Sequence, residues 1–371
     1  MRLTRSARLV GAALAGTLAL AACGSDDNSD PAASDSASGS TSNAIACVPG
    51  TLNASGSSAQ ANAMSQWIKD YQTACPDTTV NYGAVGSGQG VTDFLNGQTS
   101  FAGSDSALNP DKGEVDKAAA LCADGQAVDL PMVAGPIAVI YNVSGVTDLT
   151  MTPVVLAKIF SGKVTTWNDP AIAEINPGVS LPAETITTVH RSDASGTSDN
   201  FTKYLTAAAG ADWTFDHDKQ WKAPGGQGAK GSDGVAAAVK NTPNAIGYDE
   251  WSYATQNDLS YAKVDNGGGA VELTADAVGK AVAAATVSGT GDDLSLKLDY
   301  ATQAPGAYPI LLVTYEITCT KGLPTDQATL VKSFLSYTVS DEGQAALTDL
   351  GYAPLPAEIQ TKVKAVVDKI S

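Results

Sequence analysis

The residues best suited to chemistry lie together near the middle of the chain, where residues 190–198 read His-Arg-Ser-Asp-Ala-Ser-Gly-Thr-Ser. The β-branched run at 185–189 predicts a strand before them, and the residues at 201–205 predict a helix after them. A strand that ends in small residues before a helix leaves backbone N–H groups without partners, and the helix dipole makes that point electropositive. The stretch therefore predicts half of an oxyanion-binding cleft. Its candidate ligands are the guanidinium of Arg191, which Asp193 can hold in place, and the hydroxyls of Ser195 and Thr197.

An ordinary capped loop that binds nothing can have the same composition. The prediction of an anion site is therefore stronger if a second stretch of the chain has the same features. The glycine-rich run at 83–90 follows a strand predicted at 78–82 and precedes a helix predicted at 91–95. It lacks the Gly-Lys-Ser/Thr ending of a nucleotide P-loop, but its glycines would let backbone amides approach an anion. A third strand, predicted at 101–106, carries Asp105 near its carboxyl end.

The first 22 residues have the layout of a bacterial export signal, with three arginines before a short apolar segment at 9–22. That segment is too short to span a bilayer. It ends in Leu-Ala-Ala-Cys, which is similar to a lipobox and predicts cleavage before Cys23 and lipid attachment to it. The alternative is a simple secretory signal with an incidental cysteine. Residues 23–46, rich in Ser, Ala and Asp, predict a flexible acidic tether, so we expect a soluble body anchored by lipid to the outer face of the cell membrane.

The chain is strongly acidic, with 22 Lys and Arg against 39 Asp and Glu and a net charge of −17. This balance argues against nucleic acid as a partner, because a phosphate backbone needs a basic surface. A small anion remains compatible with it. Surface charges are screened over about 8–10 Å, whereas fixed dipoles and a buried arginine act at contact.

The body that follows the tether contains four cysteines, and an even number in an exported protein predicts two disulfides. Four cysteines allow three pairings. The favoured pairs are Cys47 with Cys75, which should lie at one end of a strand–helix unit, and, by elimination, Cys122 with Cys319.

Two long apolar strands are predicted at 130–142 and 308–317. They indicate a chain that crosses to a second lobe and returns, as in clamshell binding proteins. We expect an α/β fold with lobe I at 47–140 plus 311–371, lobe II at 141–310, and a two-strand hinge at 138–142 and 310–315.

Seven short motifs occur in a fixed order, at 54–58, 86–88, 101–105, 166–170, 191–198, 245–248 and 353–356. Together they resemble the substrate-binding proteins of the bacterial high-affinity phosphate ABC importer. The resemblance implies a two-lobed periplasmic-binding-protein fold of type II (Venus flytrap). It also implies a monomeric carrier, not an enzyme, that closes on inorganic phosphate and presents it to a transmembrane permease.

The same resemblance implies a set of phosphate ligands. They are Ser58 and the amide of Ala59 in the first loop, Ser87 in the second, Asp105 at the strand end, and Arg191, Ser195, Gly196 and Thr197 from lobe II, with Asp193 pairing the arginine. Ala59 replaces an aromatic residue of some relatives, and Ala194 replaces a frequent glycine. Hydrogen phosphate carries a proton that Asp105 can accept, whereas sulfate has none. The alternative role for Asp105 is to cap the next helix.

Other functions stay open at this point. A secreted phosphoesterase would use Ser58 or Ser195 as its nucleophile and would need a base or a metal. His190 should face away from the ligand because it neighbours Arg191 on a strand, and His217 lies in an acidic segment without an evident partner. No Cys-x-x-Cys spacing occurs, so we expect no metal and no cofactor. A carrier of another oxyanion, and a phosphate-binding adhesin or sensor, are the remaining alternatives.

Overall fold

The structure is a computed structural model that describes residues 45–122 and 125–371. The predicted signal peptide, Cys23 and the predicted tether up to residue 44 lie outside the described residues. Within the described ranges, no helix is both long enough and apolar enough to cross a membrane.

The fold is mixed α/β, as the sequence predicts. The strands are β1 Gly50–Gly56, β2 Thr78–Gly83, β3 Phe101–Ser104, β4 Ala127–Asn142, β5 Thr150–Met151, β6 Thr187–Arg191, β7 Gln227–Ala229, β8 Ala245–Glu250, β9 Ser260–Tyr261, β10 Lys263–Asp265, β11 Ala270–Val271, β12 Thr286–Val287, β13 Leu296–Lys297 and β14 Leu311–Cys319. The α-helices are α1 Ala61–Ala74, α2 Ser87–Leu95, α3 Glu114–Leu121, α4 Pro153–Phe160, α5 Pro170–Ala173, α6 Gly196–Ala208, α7 Gly231–Asn241, α8 Trp251–Gln256, α9 Ala275–Ala283, α10 Thr325–Thr338, α11 Asp341–Ala345 and α12 Ala357–Val367.

The main strands follow one another in the order β2-β1-β3-β14-β4-β8-β6-β7. The two predicted long strands, β4 and β14, lie side by side and antiparallel at the centre. β4 pairs with β14 as far as Pro136 and with β8 from Ile137 onward, so one strand belongs to the sheets of both lobes. The exchange of partners comes before the segment 138–142 that was predicted as part of the hinge, and that segment is paired with β8 throughout.

Each lobe has its own hydrophobic core. In lobe I, α1 packs against α10 through Tyr71 and Phe334, whose rings meet edge to face at 5.3 Å, and α12 covers the same core. In lobe II, Phe201 of α6 stacks on Tyr248 of β8 with ring centroids 4.3 Å apart. Buried aromatic pairs of this kind contribute about 0.5–1.5 kcal/mol beyond the area that they bury. The helices α10 and α12, near the end of the chain, thus share one core with α1, near its beginning.

The structure contains two disulfides with the pairing favoured from the sequence. Cys47 is bonded to Cys75 and Cys122 to Cys319, with Cα–Cα distances of 5.4 and 5.3 Å. The first joins the segment before β1 to the end of α1, and the second joins the end of α3 to the end of β14. Cross-links that close loops of 28 and 197 residues each stabilise a fold by about 2–5 kcal/mol.

Two predicted helices begin several residues earlier than expected. α2 begins at Ser87, inside the run that was predicted as a turn before a helix at 91–95, so Gly88 and Gly90 are helical. α6 begins at Gly196, inside the stretch that was predicted as a loop before a helix at 201–205. In both cases small polar residues and glycines, which are weak helix formers, occupy the first turn.

Candidate functional site

The central stretch folds as a strand, a short loop and a helix. β6 ends at Arg191, and α6 begins at Gly196 with Ser195 as its N-cap. The Ser195 hydroxyl accepts a hydrogen bond from the Ser198 amide at 3.3 Å, and the amides of Gly196 and Thr197, in the first turn, have no acceptor inside the helix. Thr197 Oγ1 is buried and has no hydrogen-bond partner among the described residues. A buried hydroxyl without a partner at a helix N-terminus is a ready donor for an anion.

Arg191 supplies the positive charge of the site. Its side chain is 2% exposed, and its Nε and Nη2 donate to the two carboxylate oxygens of Asp193 at 2.8 and 2.5 Å. Burial opposes the charge of Asp193, but Arg191 and the Gly231 amide outweigh it and hold the pKa of this carboxyl below its usual range. Asp193 therefore fixes the guanidinium in one orientation and leaves part of its fork for another oxyanion.

Asp105 lies buried on the opposite wall, from lobe I. Its Oδ1 accepts from Thr314 Oγ1 at 2.8 Å, and its Oδ2 accepts from Ser87 Oγ at 3.1 Å. Burial raises the pKa of Asp105, although hydroxyl donors and the charge of Arg191 act in the other direction. It caps no helix, because the next helical turn begins at Pro110 and is capped by Asn109. The capping alternative for Asp105 is therefore wrong.

The two walls approach each other so closely that only glycine fits at two positions. A methyl group on Gly196 would lie 2.7 Å from both Asp105 Oδ2 and Ser87 Oγ. Gly86, with a φ of +96°, would place a methyl group 2.5 Å from Asp193 Oδ2. These glycines let the starts of α2 and α6 approach each other, and the Gly88 amide donates to the Ala194 carbonyl at 2.9 Å.

The first loop meets lobe II through a serine that was not predicted. Ser58 Oγ lies 3.1 Å from Ser232 Oγ and accepts a hydrogen bond of the same length from the Ser232 amide. The Ala59 amide, predicted to bind the ligand, donates here to Ser57 Oγ at 3.1 Å. Ser232 stands at the start of α7, and its Gly-Ser-Asp-Gly context was a signal for it.

The two histidines of the chain, His190 and His217, have different surroundings. The His190 ring stacks on Trp221 with centroids 5.0 Å apart, and it makes no hydrogen bond to the guanidinium of Arg191. His217 does have a partner, contrary to the sequence prediction, because its Nδ1 lies 2.8 Å from Asp199 Oδ1. Neither histidine is hydrogen-bonded to Ser58 or Ser195.

Contacts between the lobes flank the site. Ser106 Oγ donates to Asp199 Oδ2 at 2.6 Å, and Lys112 Nζ lies 2.8 Å from Asp218 Oδ1. Asn200 Nδ2 donates to the backbone carbonyl of Asp105 at 2.6 Å. Among the described residues, the two lobes are therefore in contact around the residues that are predicted to bind the anion.

The site as built can bind a small tetrahedral oxyanion. It presents hydroxyls, helix amides, one fixed guanidinium and one buried carboxylate whose hydrogen-bond donors are neutral hydroxyls. Within the described ranges, no group of three or more His, Cys, Asp or Glu side chains could hold a metal ion.

Comparisons with known proteins identify the family of the chain. Residues 31–342 match the model of the PBP superfamily domain. The phosphate-binding protein PstS 3 of Mycobacterium tuberculosis is 44% identical over 376 residues, which cover 100% of both chains. The chain belongs to the PstS family of this superfamily. The resemblance inferred from the seven motifs is therefore confirmed.

Solved structures show the same fold. The high-affinity periplasmic phosphate-binding protein PfluDING, bound with phosphate, matches with a TM-score of 0.68 at 24% identity and covers 85% of this chain and 93% of its own. A phosphate-binding protein of Stenotrophomonas maltophilia matches with a TM-score of 0.64 at 20% identity, with the same coverage. The two-lobed fold of PstS proteins is thereby confirmed for this chain.

Proposed function

We propose that this PstS family member binds inorganic phosphate between its lobes and delivers it to the permease of an ABC importer. The observation that carries the proposal is the occurrence, in one cleft, of buried Arg191, whose guanidinium lies beside Gly86, and of buried Asp105, whose carboxyl lies beside Gly196. The cation attracts any oxyanion, whereas the carboxylate accepts only one that still carries a proton. The names of the relatives, which are phosphate-binding proteins, support the same ligand.

The proposed ligands are the eight predicted residues, and each has a distinct task. Arg191 binds two oxygens, and Asp105 accepts the proton of hydrogen phosphate. The remaining donors are the hydroxyls of Ser58, Ser87, Ser195 and Thr197 and the amides of Ala59 and Gly196. Binding of the Ala59 amide requires it to leave Ser57 Oγ, its present acceptor. Because the ligand contacts both lobes only when they meet, its binding energy favours the closed arrangement.

The chain acts in this proposal as a carrier, not as an enzyme. Neither candidate nucleophile, Ser58 or Ser195, has a histidine hydrogen-bonded to it, and nucleophilic catalysis by serine depends on such a base. The relatives named above are binding proteins, which supports the same assignment.

The test is calorimetric titration of the purified full-length protein in detergent with phosphate and then with sulfate at pH 7. We expect saturable heat with phosphate and none with sulfate. Equal binding of the two anions would instead identify a general oxyanion carrier. Binding of neither would return the phosphoesterase and adhesin functions to consideration.

We further propose the domain plan predicted from the sequence: a signal peptide at 1–22, a tether at 23–46 and a monomeric body with the lobes as predicted. Lipid on Cys23 would anchor the body to the outer face of the cell membrane. Mass spectrometry of the N-terminal peptide should show a diacylglyceryl-modified Cys23, and Cys23→Ser should release the protein from membranes. An unmodified cysteine in the membrane-extracted protein would contradict the anchor.

A further inference from the structure

Glu316 is a buried acid behind the phosphate site that the proposed binding mechanism does not use. It lies in β14 between Gly103 of β3 and Leu130 of β4, and its side chain is 0% exposed. Neither of its carboxyl oxygens accepts a hydrogen bond from another described residue. An ionised carboxylate in that position would be a desolvated charge without a partner, which is costly.

The strand directs Glu316 toward the site. Thr314, two residues earlier, points to the same face of β14 and donates to Asp105. The residue of β3 that is paired with Glu316 is Gly103, and a methyl group on Gly103 would lie 2.1 Å from Gln60 Nε2. Gln60 is the residue just before α1, and it directly follows the Ser58–Ala59 loop.

The side chain of Gln60 also has a buried oxygen that lacks a hydrogen-bond donor among the described residues. Its Nε2 donates to Tyr82 Oη at 3.0 Å, and that hydroxyl donates to the Ser57 carbonyl at 2.9 Å. Gln60 Oε1, by contrast, is buried and accepts no hydrogen bond from a described residue. A proton on Glu316 would supply the missing donor, and one hydrogen bond would then satisfy an orphan atom on each side chain.

The charges around Glu316 favour that proton. Burial raises the pKa of Glu316 to about 8, the nearby charge of Asp105 adds to the rise, and only the Gln60 amide opposes it. The other titratable group that faces it is the phenol of Tyr82, whose own pKa is raised by burial and then by Glu316. No cation is among the groups that act on Glu316 in the described structure.

We propose that Glu316 is an uncharged acid that positions the Ser58–Ala59 loop through Gln60, and that loss of its proton sets the alkaline limit of phosphate binding. The inference rests on the proposed function. Glu316 contacts no ligand in this scheme and is a positioning residue. When it ionises, it adds a negative charge beside Asp105 and removes the donor to Gln60, and both changes disfavour an anion in the cleft.

Thermodynamic linkage between phosphate binding and the ionisation of Glu316 determines whether the affinity falls or rises with pH. If ionisation of Glu316 weakens phosphate binding, bound phosphate must in turn make Glu316 harder to ionise. The dissociation constant therefore rises with pH above the value at which the free protein loses this proton. It rises by up to about tenfold per pH unit.

The test compares wild type with Glu316→Gln, which keeps an amide donor for Gln60 but cannot ionise. Phosphate dissociation constants are measured at pH 7 and pH 9 by titration calorimetry on the full-length protein. The ratio of the wild-type constant to the variant constant cancels the titration of phosphate itself. We expect that ratio to rise by about tenfold from pH 7 to pH 9. An unchanged ratio would overturn the inference, even with phosphate bound tightly by both proteins.

Two further measurements keep the result specific. Asp129→Asn removes another buried acid with a raised pKa from the same sheet, one that faces Leu108 and Asp293, and it should retain the wild-type alkaline loss. An infrared difference spectrum of wild type minus Glu316→Gln at pH 7 should contain the carbonyl band of a protonated carboxylic acid. A carboxylate band in its place would overturn the inference without any reference to phosphate. Absence of phosphate binding at pH 7 would count against the proposed function instead.

Discussion

Asp105 and Asp193 are two aspartates on opposite walls of the same cleft, and their pKa values shift in opposite directions. In lobe II, Asp193 receives two hydrogen bonds from Arg191, which more than offset the burial that raises its pKa. In lobe I, Asp105 has hydroxyl neighbours, and burial keeps its pKa raised. One residue type thus serves two purposes. Lobe II pairs its carboxylate with a cation, and lobe I pairs its carboxylate with neutral hydroxyls only.

This difference indicates a division of work between the lobes. In the proposed mechanism, the Arg191–Asp193 pair gives attraction and orientation, because it is ionised and rigid. Asp105 gives selection, because its carboxylate can accept a hydrogen bond from a ligand that still carries a proton and repels an anion that carries none.

The largest expected effect comes from removing the cation. Arg191→Ala should weaken phosphate binding by at least about a hundredfold, because it takes away the fixed donor and leaves Asp193 charged and without its partner. Arg191→Lys should recover only part of the loss, since an ammonium lacks the planar fork. Titration calorimetry measures both. Lys158→Ala, which removes a surface cation of the same lobe, is the control, and a similar loss in that variant would show that only net charge matters.

The next effect separates selection from attraction. Asp105→Asn should weaken phosphate binding by about tenfold to a hundredfold, since an amide oxygen accepts the ligand proton less strongly than a carboxylate does. The same variant should gain measurable sulfate binding. If sulfate stays excluded, discrimination does not come from Asp105, and the contrast between the two walls has another origin.

A smaller effect concerns stability without ligand. The pKa of Asp105 is raised in the folded protein, so folding is favoured by its protonated form, and this contribution is lost as pH rises through the folded pKa. Asp105→Asn should therefore raise the melting temperature of the phosphate-free protein at pH 7 by a few degrees and change it less at pH 4. Asp193→Asn should do the reverse at pH 7, because the pKa of Asp193 is lowered by folding. Calorimetric melting curves without phosphate measure both shifts.

The smallest expected effect lies at the rim of the cleft. Lys112→Ala breaks the contact with Asp218 between lobes, but the lysine side chain is 46% exposed. Exposed ion pairs contribute about 0–1 kcal/mol, so the phosphate dissociation constant should rise by less than about fivefold, and less still at high salt. Stopped-flow release of phosphate checks this. A loss as large as that of Arg191→Ala would mean that closure is controlled at the rim.

The sequence revealed those parts of the site that depend on local signals. Glycines and small hydroxyl residues mark the strand–helix turns before α2 and α6, although not the first residues of these helices, and the acid after β3 is visible as a strand end. Thr314 and Ser232 escaped notice because their contacts with Asp105 and Ser58 span 209 and 174 residues. Only tertiary packing brings such residues together. His217 was misjudged for a related reason, since its partner Asp199 is buried on a different element.

The sharing of β4 between both sheets has a consequence for the order in which the chain can fold during synthesis. β14, which lies between β3 and β4, is made only after the whole of lobe II. The sheet of lobe I therefore lacks a central strand while lobe II can already complete its own. Cys122 meets its partner 197 residues later, whereas Cys47 meets Cys75 after only 28. The lobe that is synthesised first is thus the last to be completed, and its half of the anion site forms with it.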